Sequence, residues 1–449
     1  MDRRHFLSHA AAIGAGAALA QLGILSARAQ TSGDYKALVC LFLYGGNDGN
    51  NTVVPIDTAG YASYQATRGA IALDQSSLLP LVEPDGTAAF GLHPALGGAG
   101  GLQALWDAGE LAIVTNVGTL VNPLTKTQYL SPASVKPQSL FSHLDQQLQW
   151  QASLSSAPSS TGWGGRIADQ LASLNTGASI PSMVSTAGNN LFVTGRATQA
   201  LTIPVSGSFG LSGFDSSAAG QARLSALQAL LGVDRGTELL DAAQDVMAGA
   251  IRSSTVLNPI LTSANSTVSG YFSGMTSSIA KQLLAVAKVI AARADLGASR
   301  QVFLVSMGSF DTHTDEINTH NTLFGQLGPA LKAFHDAMSG IGAASSVTSF
   351  TLSDFSRTYL PNVNGGTDHA WGSHHFVAGG AVKGGRFYGT WPTLALGGPD
   401  DVGEGRWIPT TAVDQYAATL ATWMGVDSTG LATVLPNIAS FTPATLGFV

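Results

Sequence analysis

Acidic and imidazole side chains gather in a few short stretches of this sequence. Asp311-Thr312-His313-Thr314-Asp315 follows one apolar run, and Asp354 follows another. Asp368-His369 and His374-His375 come in the segment after that, and Asp48 lies in the loop behind an earlier run. Carboxylate oxygens with imidazole nitrogens suit zinc or another divalent transition ion, and the histidine content makes calcium the poorer fit. Asp and Asn are also ordinary turn formers at strand ends. That reading suffices for any one of these aspartates, whereas Asp48, Asp311 and Asp354 taken with a His-rich loop favour a site. The candidate ligands are therefore Asp48, Asp311, His313, Asp354, His369 and His374. Neighbouring His374 and His375 point to different sides, so at most one of them faces an ion. If the three aspartates converge, their charges repel unless a cation neutralises them.

Two further groups could take part in catalysis. Arg357, three residues past Asp354, could pair bidentately with a phosphate or sulfate group, or could equally tie down a loop. Ser142 lies beyond a second-strand candidate, in Ser139-Leu140-Phe141-Ser142-His143-Leu144-Asp145. A hydroxyl held against a metal is activated as a nucleophile. His143 and Asp145 read alternatively as a local polar cluster. Gly45-Gly46 suggests a phosphate cradle, but its spacing fits neither a Walker loop nor a dinucleotide fingerprint.

Four apolar, β-branched runs carry these groups: Ala37–Leu43, Leu111–Val117, Val302–Ser306 and Ser346–Leu352. Short continuous apolar runs read as parallel strands buried on both faces. Between the last two, Leu323, Leu327, Leu331 and Phe334 recur at helical spacing, and Ile279, Leu283, Val286 and Ile290 do so before them. The series helix 279–293, strand, helix 321–339, strand implies right-handed crossovers. The expected fold is an α/β sheet, mostly parallel, flanked by helices on both faces. In such a sheet the ligand site lies beyond the carboxyl ends of the strands, where all these aspartates fall. Tyr416, Leu420 and Trp423 mark a late amphipathic helix. Residues 151–275 are Ser/Ala/Gly-rich with a helical stretch near 220–252. They are too apolar to stay unfolded, so they read as an insertion or cap.

The chain has 449 residues, 45% of them hydrophobic and only 11% charged, which suits a large buried core. Its net charge of −7 and the lack of a Lys/Arg run make it a poor nucleic-acid binder. Cys40 is the only cysteine, so there is no disulfide framework, and its apolar run makes it a core residue. Arg3-Arg4 ahead of Phe6-Leu7, a mild Ala/Gly-rich stretch from Ala10 to Ala27, and Ala27-Arg28-Ala29 match a twin-arginine export signal. A cut before Gln30 is expected, with residues 1–29 as signal and 30–449 as the main domain. The export machinery is then a partner, the destination is the periplasm or beyond, and the mature form has no membrane span.

Leu41–Pro55 (Leu-Phe-Leu-Tyr-Gly-Gly-Asn-Asp-Gly-Asn-Asn-Thr-Val-Val-Pro) resembles the opening of the DUF1501 family, twin-arginine-exported bacterial proteins of unassigned function. Gly308–His313, Ser353–Thr358, Gly366–Gly372, His93-Pro94 and Gly162–Arg166 extend the resemblance along nearly the whole mature chain. The family is similar in fold to the alkaline phosphatase and sulfatase superfamily, which uses metals to hydrolyse or transfer phosphate and sulfate esters. The resemblance implies metal roles for Asp48, Asp311 and Asp354, a late metal-binding imidazole at His369 or His374, and Ser142 as the match to the nucleophile. Phe355 and Asp315 stand where ligand histidines are expected, so one ion, or two on an altered ligand set, is implied. Two functions follow as expectations. One is a metal-dependent hydrolase of small phosphate or sulfate esters, with Arg357 stabilising anionic charge. The other is a non-catalytic exported binding or assembly protein on the same fold.

Overall fold

From Ala37 to Leu43 the chain has no polar side chain, and every one of these residues is buried. They form strand β1 (Lys36–Leu43). Burying each of its Leu, Val and Phe side chains contributes roughly 1.5–3 kcal/mol, so both faces of β1 must be covered. Alternation does this: Ala37, Val39, Leu41 and Leu43 enter one core, and Leu38, Cys40 and Phe42 enter another. The computed structural model describes residues 35–449 except 99, 215–216, 234–235 and 265. The expected export signal at 1–29 lies outside the described residues.

Among the described residues the main sheet has nine strands. After β1 come β2 (Leu111–Gly118), β3 (Met183–Ser185), β4 (Leu201–Thr202), β5 (Arg300–Met307), β6 (Val347–Ser353), β7 (Ser373–Ala378), β8 (Arg386–Tyr388) and β9 (Thr411–Ala412). Their order is β8-β2-β7-β6-β1-β5-β3-β4, with β9 also beside β2. The pairings are parallel except those of β7, which runs antiparallel to β2 and β6. Six helices bear on the argument: α1 (Thr58–Arg68), α2 (His143–Ala152), α3 (Trp163–Gln170), α4 (Ser278–Ala291), α5 (Glu316–Gly340) and α6 (Val413–Met424). Apolar faces of α4 and α5 join the first core, and those of α3 and α6 join the second. Helices on both faces of a mostly parallel sheet are what the apolar runs predict.

The differences from the sequence expectations are local. Helix α5 starts at Glu316, about two turns before Leu323, the first leucine of its apolar stripe. The stretch near 220–252 is two helices, Ala218–Leu231 and Glu238–Thr262. Within 151–275, α3, β3 and β4 belong to the sheet and its cover, while Leu239 and Val246 of the second of these helices are exposed. None of the described helices is long and apolar enough to cross a membrane.

Two features of this topology place the site. Leu43 of β1 is level with Met307 of β5 and Ser353 of β6, so three adjacent strands release their loops side by side. Strand β7 is reversed, so the loop before it arrives at the same edge and brings Asp368 and His369 there.

Candidate metal centre

The loop after β1 threads between its two neighbours, and only glycine permits this. Gly45 has φ +115°, and a Cβ there would lie 2.4 Å from the Asp311 backbone nitrogen. Gly46 has φ +86°, and its Cβ would meet the Phe355 ring at 2.6 Å. The close approach lets the Gly45 N–H donate to Asp354 Oδ1 at 3.1 Å. Four non-glycine residues around the site also have positive φ: Ser139, Phe141, Ser309 and Asp315. Such backbone costs free energy and persists where the surroundings enforce it, commonly at functional sites.

Asp311 is the hub of the cluster. Its Oδ1 lies 3.0 Å from His313 Nε2 and 3.3 Å from His369 Nε2, and its Oδ2 lies 3.4 Å from His143 Nε2. His313 Nε2 and His369 Nε2 are 3.1 Å apart. One donor atom from each of His143, Asp311 and His369 falls within 4.8 Å of the others. The Phe355 ring packs against His143 and His369 with centroids 4.9 and 4.7 Å away, shielding one side of the cluster.

The other ring nitrogens decide what these atoms can do. His369 Nδ1 is 2.7 Å from the Phe141 carbonyl, which can only accept, so Nδ1 carries the proton. His313 Nδ1 is 2.8 Å from Asp368 Oδ1. His143 Nδ1 is 2.7 Å from Asp354 Oδ2, which also accepts from Gln147 Nε2 at 2.7 Å. Each ring thus turns its Nε2 towards the Asp311 carboxylate. His143 Nε2 is buried with no hydrogen-bond partner. An orienting acceptor behind each ring is the arrangement found around metal-ligating histidines.

Charge is balanced unevenly across the cluster. Burial pushes the Asp311 carboxyl up, but the Arg357 hydrogen bond and charge, with His313 and His143 beside it, hold it below its usual value. The hydrogen bond to Asp354 raises His143 against its partial burial. Burial lowers His369, with Arg357 and His143 adding to the effect.

The sequence candidates divide into two groups. Asp311, His313 and His369 lie together. Asp354 reaches the cluster through its hydrogen bond to His143 and is itself fully buried. Asp48 is turned away: it is ion-paired with Arg68, also fully buried, and accepts from Asn50 N and Nδ2 at 2.9 and 3.0 Å. Burial raises the Asp48 carboxyl to about 7 against the pull of Arg68, and the neighbouring Glu316 adds to the rise. His374 is not brought to the cluster. Strand β7 is buried on both faces, so His374 packs on Trp391 (centroids 4.2 Å) and accepts from Asn116 N, while His375 packs on Trp150.

Arg357 is fully buried with its donors spent on Thr367, the Gly45 carbonyl and Asp311 Oδ1, the last at 2.7 Å. It ties loops together, the second of its two expected roles. The Ser142 hydroxyl donates to Asp145 Oδ2 at 2.7 Å.

Sequence reasoning gave His143, Gln147 and Asp368 no place in the ligand set. The available signal was His143 and Gln147 at i and i+4 behind β2, a spacing that puts both on one face of a helix. Asp368 orients His313, not its neighbour His369.

The family described as "Protein of unknown function (DUF1501)" matches residues 35–433, and the chain belongs to that family. No curated protein sequence matches it. Similar solved structures include Ps i-CgsB in complex with k-i-k-neocarrahexaose, with TM-score 0.33, 7% identity, and coverage of 88% of this chain and 74% of that chain. Another is the lipoteichoic acid synthase LtaP from Listeria monocytogenes, with TM-score 0.32, 8% identity and the same two coverages.

Proposed function

We propose that this member of the DUF1501 family is an exported, metal-dependent hydrolase of small phosphate or sulfate esters, acting in the periplasm with zinc on Asp311, His143, His369 and His313. One observation carries the reading. Four pairs of acceptor atoms lie at 3.0–3.4 Å: His313 Nε2 and His369 Nε2 from Asp311 Oδ1 and from each other, and His143 Nε2 from Asp311 Oδ2, so that with neutral rings each pair sets lone pair against lone pair. That is repulsive unless a cation sits among them. Neighbouring ligands on one tetrahedral zinc, with bonds of about 2.0–2.1 Å, are separated by roughly this much. Imidazole and carboxylate donors together suit zinc better than calcium or magnesium.

Held by these residues, a divalent ion would supply Lewis acidity towards an ester oxygen and a bound water. The chain's own residues hold the donors ready: Asp354, Asp368 and the Phe141 carbonyl fix the three rings, and Arg357 fixes Asp311. Phe355 keeps water off one side. The resemblance to phosphate- and sulfate-ester hydrolases suggests the substrate class.

The non-catalytic reading has one observation of its own in favour. Ser142 is engaged by Asp145, and Arg357 is buried with four of its five N–H groups spent on protein acceptors, so both expected catalytic groups are already occupied within the protein. Elemental analysis of protein purified without chelators, with a panel of aryl phosphates and sulfates, tests both readings. Bound zinc near one equivalent with chelator-sensitive hydrolysis is expected. Less than about half an equivalent sinks the enzyme reading. Full metal with no turnover on any ester supports a binding protein.

A further inference from the structure

Arg406 stands outside the ligand set, yet it touches both halves of the hydrogen bond that orients His369. Its Nε donates to the His369 carbonyl at 2.8 Å, and its guanidinium carbon lies 5.3 Å from the Phe141 ring centroid. Phe141 is the residue whose carbonyl accepts from His369 Nδ1. Phe141 holds φ +73°, a conformation that costs free energy in any residue with a Cβ. Something must keep that carbonyl turned towards the ring, and the arginine above Phe141 is placed to do so.

Arg406 is itself held in place. Its Nη1 pairs with Glu404 Oε2 at 2.7 Å. The turn that carries it is built by Asp401, whose Oδ1 accepts from Gly403 N and Gly405 N at 2.7 and 2.9 Å. The same turn is bound to the loop after β6 through Tyr359 N to the Gly405 carbonyl and Leu360 N to the Glu404 carbonyl. The clamp is thus built from the chain's own hydrogen bonds.

We propose that Arg406 is a positioning residue of the metal centre: by bridging the His369 backbone and the Phe141 ring it fixes His369 in the Nδ1–H tautomer, with Nε2 bare for the ion. The inference rests on the metal reading for its purpose, though the tautomer itself can be read without metal. Lysine cannot replace the arginine, because a single ammonium has no planar face to lie on Phe141 and reach the carbonyl together.

The test uses the full chain and two variants, Arg406→Met and Arg406→Lys. In apo protein, nitrogen NMR of labelled histidines should show one Nδ1–H tautomer for His369 in wild type and a mixture in both variants. Titration with zinc or cobalt should show binding weakened about 10-fold or more in both variants, the scale seen when partners of ligating histidines are removed. The cobalt absorption band should shift, while circular dichroism of the apo proteins stays native. A single unchanged tautomer in the variants, or wild-type affinity in Arg406→Lys, overturns the assignment. Wild type that binds neither metal overturns the metal reading instead, and then the tautomer measurement alone decides whether Arg406 positions His369. If Arg406→Met does not fold, Arg406→Lys carries the same two measurements.

Discussion

Asp311→Asn separates two accounts of the acidic residues. If Asp48, Asp311 and Asp354 shared one space, each pair near 4 Å at an effective dielectric of about 20 would cost on the order of 4 kcal/mol, and an Asn would relieve part of that. The structure gives each carboxylate its own partner: Arg68 for Asp48, His143 and Gln147 for Asp354, and Arg357 for Asp311. Removing the Asp311 charge should therefore destabilise the apo protein. A hydrogen bond to a charged group is worth about 1.5–3 kcal/mol. The Asp311 side chain is 43% exposed and the amide oxygen of Asn can still accept, so a loss of about 1 kcal/mol is expected. Zinc at a hundred times its Kd should add about 2.7 kcal/mol to wild type and almost nothing to the variant. For a chain this long, that is a Tm difference of about 3 °C. Calorimetry of both proteins, with zinc and after chelation, measures all four states. An apo variant that melts above apo wild type would refute the separate-partner account. Identical wild-type curves, once stripping of the ion is verified, would refute the metal centre.

Three other outcomes follow from the structure, and a fourth from the sequence. Acidification from pH 7 to 5 should cost about 5 kcal/mol net, read as a fall in the denaturant midpoint; unchanged stability at pH 5 would contradict it. Burial holds His93, His374 and His375 at about 3 and His320 and His335 at about 4, so below the unfolded value near 6.5 only the unfolded chain gains protons, and each imidazole costs about 2 kcal/mol. Asp48 and Asp414, raised to about 7 chiefly by burial, act in the opposite direction, since the folded chain takes their protons first as pH falls. Arg68→Met should destabilise by about 3–5 kcal/mol, because Asp48 and Glu316 would stay buried without their cation; a loss under about 1 kcal/mol in urea unfolding would show that they protonate freely instead. Asp368→Asn should weaken zinc binding about 10-fold or more in competition titrations while leaving the apo melting curve nearly unchanged, since the pair it breaks with His313 is half exposed. Arg3→Lys with Arg4→Lys should keep the unprocessed chain in the cytoplasm, and normal processing of that double variant would point to the general secretion route.

What the sequence made legible follows from how far each feature depends on local pattern. An unbroken apolar run such as Ala37–Leu43 can only be a strand covered on both sides, and aspartates at the ends of such runs then fall at one edge. Which of those aspartates face a common centre is a tertiary matter. Asp48 was indistinguishable from Asp311 by position, and what separates them is Arg68, twenty residues further on in α1, which reaches back into the core to take the Asp48 charge. His374 sits in the densest histidine segment of the chain, but residence in a central strand hides it, and the more modest His143 arrives from the helix behind β2 to meet Asp354. The antiparallel direction of β7 was equally invisible, yet it alone brings Asp368 and His369 to the edge where the parallel strands end. The ligand set is therefore a property of the topology. One reversed strand and one arginine decide which of six candidates can meet an ion, and neither leaves a mark in the spacing of the candidates themselves.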